Sequence, residues 1–198
     1  MQKLSTTRLT SVVAIGAFGL LAACSPKADE TLDTLATTPP ATATTPTVDV
    51  AWTDANVLDV LTVANQGEID YSQIAAEKAS TASVKKYAQK MVKEHGTMLE
   101  AVKGLASRLG VTPAANDKAN DLKEEAAKDI TDLNAKSGAD FDKEFIDEQI
   151  DMHQETLDLL GDLDGRTTNA DLKAAIAEAK PKVQAHLDEA KAIKDQID

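Results

Sequence analysis

The chain contains three histidines, His95, His153 and His186, and each falls where helical spacing puts a core residue. Glu68 takes the equivalent position on a fourth apolar stripe. Imidazole nitrogens with one carboxylate suit zinc, copper, iron or nickel better than magnesium or calcium, which prefer sets made of oxygen alone. Burying four such groups without partners would cost several kcal/mol. They must therefore meet one another, a metal ion, a small ligand or ordered water. The competing reading is a hydrogen-bonded polar layer that only sets the register of the packed helices. Two neighbours lean toward a site: Gly67 adjoins Glu68 and Gly96 adjoins His95. A mid-helix glycine is about 1 kcal/mol less favourable than alanine, a cost that fits a need for space. Met91 and Met98 lie one turn either side of His95, although methionine at that spacing is commonly plain core.

No reaction follows from these residues. Di-iron chemistry in helical bundles uses Glu-x-x-His on two helices with two further glutamates, whereas the positions three before the histidines are Val92, Ile150 and Val183. The sequence also has no Gly-rich phosphate loop, no Gly-x-Ser-x-Gly elbow and no His-Glu-x-x-His. An enzymatic role has no motif behind it.

The elements that must carry the four residues are helices. From Trp52 onward the apolar period alternates four and three. Thr53 or Asp54 caps a first helix with Val57, Leu61, Ala64, Glu68, Tyr71 and Ala75 on its seam. A second starts near Ser80, carries Val84, Ala88, Met91, His95, Met98, Val102 and Leu105, and stops at Gly110 with Pro113 beyond. A shorter amphipathic helix is expected over about 116–136, and a fourth over 140–164 with Phe141, Phe145, Ile146, Ile150, His153, Leu157, Leu160 and Leu163. The last follows an Asn169 cap through Leu172, Ile176, Ala179, Val183, His186, Ala190, Ile193 and Ile197, with Pro181 expected to bend it or weaken one turn.

Four long helices with narrow seams specify an all-α antiparallel four-helix bundle. Helices one and two, and four and five, are joined by a few residues and must be hairpins. The longer segment between the hairpins makes a crossover that carries the short extra helix, the ferritin-like arrangement. At 1.5 Å per residue, Glu68 and His95 stand roughly 18 and 22 Å from their turn, and His153 and His186 roughly 20 and 26 Å from theirs. All four are expected in one middle layer.

The first 51 residues read differently. Lys3 and Arg8 precede an apolar run from Ser11 to Leu21, too short to span a bilayer comfortably, and residues 1–23 read as a signal peptide. Leu21-Ala22-Ala23-Cys24 resembles the bacterial lipobox, in which the cysteine is diacylated on sulfur and becomes the acylated first residue after cleavage. Cys24 is the only cysteine in the chain. Ser25, rather than aspartate, follows it, which by the same resemblance implies the outer membrane facing the periplasm. Several acyl chains give stable anchoring where one is marginal. Residues 24–51 read as a tether: positions 25–50 hold eight Thr and four of the six prolines, and as a flexible coil they would span on the order of 30 Å. Residues 52–198 read as the bundle domain.

Composition excludes other classes. With 21 Lys and Arg against 33 Asp and Glu, a formal net charge of −12, the chain lacks the clustered positive charge that nucleic acid requires. One cysteine allows no internal disulfide.

The stretches Gly67-Glu68-Ile69, Val84 through His95, Phe141-Asp142 leading to Ile150-Asp151-Met152-His153, and Pro181 through His186 resemble the bacterial family called domain of unknown function 4142. Glu94 stands where that family often has aspartate before the first histidine. The resemblance spans about residues 52–191. It implies a ferritin-like bundle and an exported, periplasmic or outer-membrane location, and supplies no activity. Two functions are therefore expected: a lipid-anchored periplasmic bundle binding a metal ion or small ligand at the Glu/His layer, or a non-enzymatic envelope lipoprotein whose surface binds a partner and whose layer is structural.

Overall fold

The computed structural model describes residues 52–198; the expected signal peptide, lipobox Cys24 and tether lie outside the described residues. Five helices follow one another: α1 Asp54–Lys78, α2 Ala82–Leu109, α3 Asp117–Asn134, α4 Gly138–Arg166 and α5 Ala170–Ile197. The described residues contain no strand, and none of their helices is long and apolar enough to cross a membrane.

Local chemistry sets the ends. Thr53 caps α1 by accepting from the Asn56 N–H while Asn56 Oδ1 accepts from the Thr53 N–H, a reciprocal capping box. Asn116 and Asn169 cap α3 and α5 through their side-chain oxygens. Gly110 ends α2 at φ 64°, a conformation that costs glycine nothing. α4 begins at Gly138, two residues before the expected start, because that glycine takes φ 61° directly after the Ser137 cap. α5 continues through Pro181, which lies on an exposed face, so water can satisfy the carbonyl that proline leaves without a donor.

The expected topology is present: two hairpins, α1–α2 and α4–α5, joined by a crossover carrying α3. Cross-helix contacts give the direction of each pair. Tyr71 stacks on Phe145 and Glu68 meets Gln149, so α1 and α4 are antiparallel. Lys90 pairs with Glu189 and Glu94 with His186, so α2 and α5 are antiparallel as well. α3 packs on α1 and, less extensively, on α4. Its approach is close at Gly67, where a Cβ would meet the Ala126 Cβ at 3.4 Å.

The core divides into two apolar clusters. One gathers Leu58, Leu61, Leu105, Leu163, Leu172 and Ile176 among others, and the second is built around Tyr71, Tyr87, Met91, Phe141, Phe145 and Ile146. Between them lies a polar layer of Glu68, His95, Gln149, His153 and His186, each no more than 4% exposed.

Candidate metal centre

The four expected residues occupy that layer, one on each of α1, α2, α4 and α5. They converge because each sits on the inward seam of its helix at matched height from its hairpin turn. The three histidines come closest together. One ring nitrogen from each lies within 4.8 Å of those of the other two, and the ring centroids are 5.2 to 5.6 Å apart. Glu68 lies beside this triad, with Oε1 3.6 Å from His153 Nδ1 and Oε2 accepting from Gln149 Nε2 at 2.8 Å.

The outer hydrogen bonds decide where each imidazole keeps its proton. His153 Nδ1 lies 2.8 Å from the backbone carbonyl of Gln149, and a carbonyl only accepts, so Nδ1 carries the hydrogen. His186 Nε2 lies 2.7 Å from Glu94 Oε2 and donates to that carboxylate. His95 Nδ1 donates to Asn65 Oδ1 at 3.1 Å, and the Asn65 amide is oriented by donating its own N–H to the Leu61 carbonyl. In the neutral rings the remaining nitrogens, His153 Nε2, His186 Nδ1 and His95 Nε2, all carry lone pairs. His153 Nε2 and His186 Nδ1 face each other at 3.3 Å. His95 Nε2 is buried with no partner.

Burial keeps His95 and His186 neutral. Burial, against the opposing pull of Glu68, lowers the His95 pKa to about 4. Burial likewise holds His186 below the ordinary histidine value despite its bond to Glu94. The hydrogen bond from His186 keeps Glu94 below the ordinary carboxylate value, with Lys90 adding to it. Burial pushes Glu68 up, while the Gln149 amide on Oε2 and the charge of a histidine whenever one is protonated pull it down, with the net direction downward. The layer therefore brings three inward ring nitrogens beside one buried carboxyl group. That is the chemistry of a cation site whose histidines are oriented by a carboxylate, an amide and a carbonyl behind them.

Three members of this arrangement, Asn65, Glu94 and Gln149, were not among the sequence candidates. Gln149 is one turn before His153 and Asn65 one turn before Glu68, so helical spacing held a signal. The acceptors are an amide oxygen and a backbone carbonyl in place of the carboxylates that a Glu-x-x-His pattern would supply. Glu94 follows from no spacing rule, because its partner His186 is on another helix.

A search among curated proteins gives no match. Among solved structures, the Ag-bound form of CopM is similar with a TM-score of 0.57 and 21% identity, covering 73% of this chain and 97% of that one. The Cu(I)-bound form of CopM is similar at a TM-score of 0.57 and 20% identity, over 73% and 97% of the two chains. A DUF305 protein from Streptomyces coelicolor, described as secreted, matches at a TM-score of 0.54 and 11% identity, over 73% of this chain and 88% of that one. These likenesses establish a shared helical-bundle fold. The family model described as Domain of unknown function (DUF4142) matches residues 27–193, and the chain belongs to that family.

Proposed function

We propose that the protein is a metal-binding module of the bacterial cell envelope, held to a membrane through lipidated Cys24, which takes a late first-row transition-metal ion on His95, His153 and His186. One observation carries this reading: His153 Nε2 and His186 Nδ1, whose opposite ring nitrogens face acceptors, meet each other across 3.3 Å, with a third buried nitrogen unpartnered nearby. Lone pairs so placed repel unless a cation lies between them. A proton shared by that pair would still leave the buried His95 Nε2 without a partner. A metal ion satisfies all three nitrogens together.

Three imidazoles fit copper and zinc. Copper has additional support. CopM, whose fold is similar, was crystallised with Cu(I), Cu(II) and silver, and the thioethers of Met91 and Met98 flank His95 in this chain. The residues divide the work. The histidines supply the ligand atoms, Asn65, Glu94 and the Gln149 carbonyl hold the outer protons, and Glu68 supplies negative charge beside the ion.

The test is elemental analysis of protein purified without tag or chelator, beside melts with copper, zinc and iron salts. A site of this kind binds only the folded state, so metal at a hundredfold excess over Kd should add about 2.7 kcal/mol. His153→Ala should lose both the metal and the gain. A purely structural layer would show no stoichiometric metal and no metal-dependent melt, and the same variant would cost about 1 to 3 kcal/mol from the partners left behind.

A further inference from the structure

Between the polar layer and the Gly110 end of α2, helices α2 and α5 do not close on each other. Their direct side-chain bonds, Tyr87 to the His186 carbonyl, Lys90 to Glu189 and Glu94 to His186, lie at the layer or on its far side from Gly110. On the near side a cavity of about 260 Å³ separates them, backed by α1 and α4. Side-chain size is the cause. Ala101 on α2 and Ala174, Ala175 and Ala179 on α5 face the space, where larger residues would fill the seam. Leu61, Val102, Leu105 and Leu160 add aliphatic wall, and Thr156 supplies the one hydroxyl among the lining residues.

The polar layer closes the base, but its polar atoms are enclosed or spent. Asn65 uses Oδ1 on His95 and Nδ2 on the Leu61 carbonyl, and Glu68 Oε1 and His95 Nε2 are buried away from the space. Charge appears only at the mouth, where Arg108 on α2 and Asp171, Glu178 and Lys182 on α5 are exposed. The shape is long. Lining positions recur turn after turn from Asp171 to Val183 on α5, about 18 Å along the helix. A dry cavity of about 150 Å³ already takes up benzene, and this one is both larger and drawn out along the bundle axis.

We propose that this chamber binds an unbranched aliphatic chain with an uncharged polar head, the methyl end toward the layer and the head at the mouth between α2 and α5. The walls offer a hydrocarbon contact along its whole length and offer water few of the polar partners it needs. The rim carries two cations and two anions, so a charged head of either sign meets a like charge there. A hydroxyl both donates to a carboxylate and accepts from arginine or lysine, and suits a rim of mixed sign. The inference stands on the shape and lining of the cavity and holds whether or not the histidines take a metal ion.

The probes are straight-chain primary alcohols, hexanol, octanol, decanol and dodecanol, titrated calorimetrically into the mature chain, residues 24–198, made without acylation as Cys24→Ser so that no lipid of its own competes. One equivalent should bind. Each added methylene should tighten binding by about fourfold, the equivalent of about 0.8 kcal/mol, until the chain fills the chamber, and the gain should then stop. Octanoate and octylammonium should bind several-fold more weakly than octanol. Ala179→Phe, which fills the chamber, should abolish binding. Ala175→Leu intrudes less and should shorten the longest alcohol that still gains, so it carries the test if a melt shows that the first variant does not fold. Affinity that keeps rising with chain length means partition onto the surface and overturns the proposal, as does octanoate or octylammonium binding as tightly as octanol, or unchanged binding in the folded variants. A dimer that excludes the alcohols overturns it too, since a second copy would then be the occupant of the seam.

Discussion

At the scale of single residues, the site is defined less by its histidines than by the groups that hold their outer protons. Glu94 shows this best. Its carboxylate is 41% exposed yet fixes the tautomer of a histidine that is almost wholly buried, through a 2.7 Å bond. Glu94→Gln should therefore weaken metal binding by about tenfold, at the lower end of what loss of an orienting partner costs. Folding stability should change little, since the side chain is half in water. Equilibrium competition with a chromophoric chelator reads the affinity and a melt without metal reads the stability. An affinity equal to wild type would show that Glu94 does not orient His186. The histidines and Glu68 were legible as core-position polar residues, because helical periodicity alone marks them. Asn65 and Gln149 were not, because a neutral amide at helical spacing acquires a role only from the direction its side chain takes in the packed bundle.

At the scale of helices, two carboxylates show how the elements are joined, with opposite consequences for pH. Asp142, 1% exposed near the start of α4, accepts from the Ser80 N–H, the Ser80 hydroxyl and the Thr81 N–H in the α1–α2 turn. Burial opposes its ionisation, but those donors prevail and lower its pKa. Its contribution is thus complete above the unfolded value near 3.8 and is lost as pH falls through the lower folded value. Asp142→Asn turns an amide donor against backbone donors and should cost about 2 kcal/mol at pH 7, read by urea denaturation. No loss would mean that the turn is held by other contacts.

Glu148 on α4 behaves the other way. Burial, then the charge of Asp129 on α3, raises its pKa to about 7. Its folded value is above its unfolded one, so it favours folding below pH 4.5 and loses that advantage as pH rises toward 7. Glu148→Gln should raise the melting temperature at pH 8 and change it little at pH 4.5. Buried His95 destabilises the fold on acidification, so the informative quantity is variant minus wild type at each pH. An equal shift at both pH values would dismiss this account. α1 also buries Leu58, Val60 and Ile69 beside the expected Val57, Leu61 and Tyr71; of these Val60 shares the Gly67 side on which α3 docks, while Leu58 and Ile69 share the side of Asn65, which bonds His95 of α2.

At the scale of the whole molecule, the lipid anchor proposed at Cys24 is what would set where the bundle works. If Cys24 is lipidated, Cys24→Ser should leave an unprocessed precursor and abolish labelling by a fatty-acid analogue; normal processing with unchanged membrane fractionation would refute the lipobox. The bundle itself was readable in advance. The four-three period of apolar residues, caps such as Thr53, Asn116 and Asn169, and the stop at Gly110 are local signals, and the two short turns against one long crossover left the ferritin-like path as the natural arrangement. Even the height of the polar layer followed from counting residues back to each turn, since helical rise is constant. What packing alone decided is finer. Gln149, rather than Ile150, turns fully inward on α4, and Ala179 faces a cavity instead of closing the seam. The meeting of Glu94 with His186, ninety-two residues apart, depends on the side-by-side register of α2 and α5. Seam spacing specifies which face of a helix points inward, but the partner of a given nitrogen depends on side-chain directions and on how closely two helices approach, and those are settled only when all four pack together.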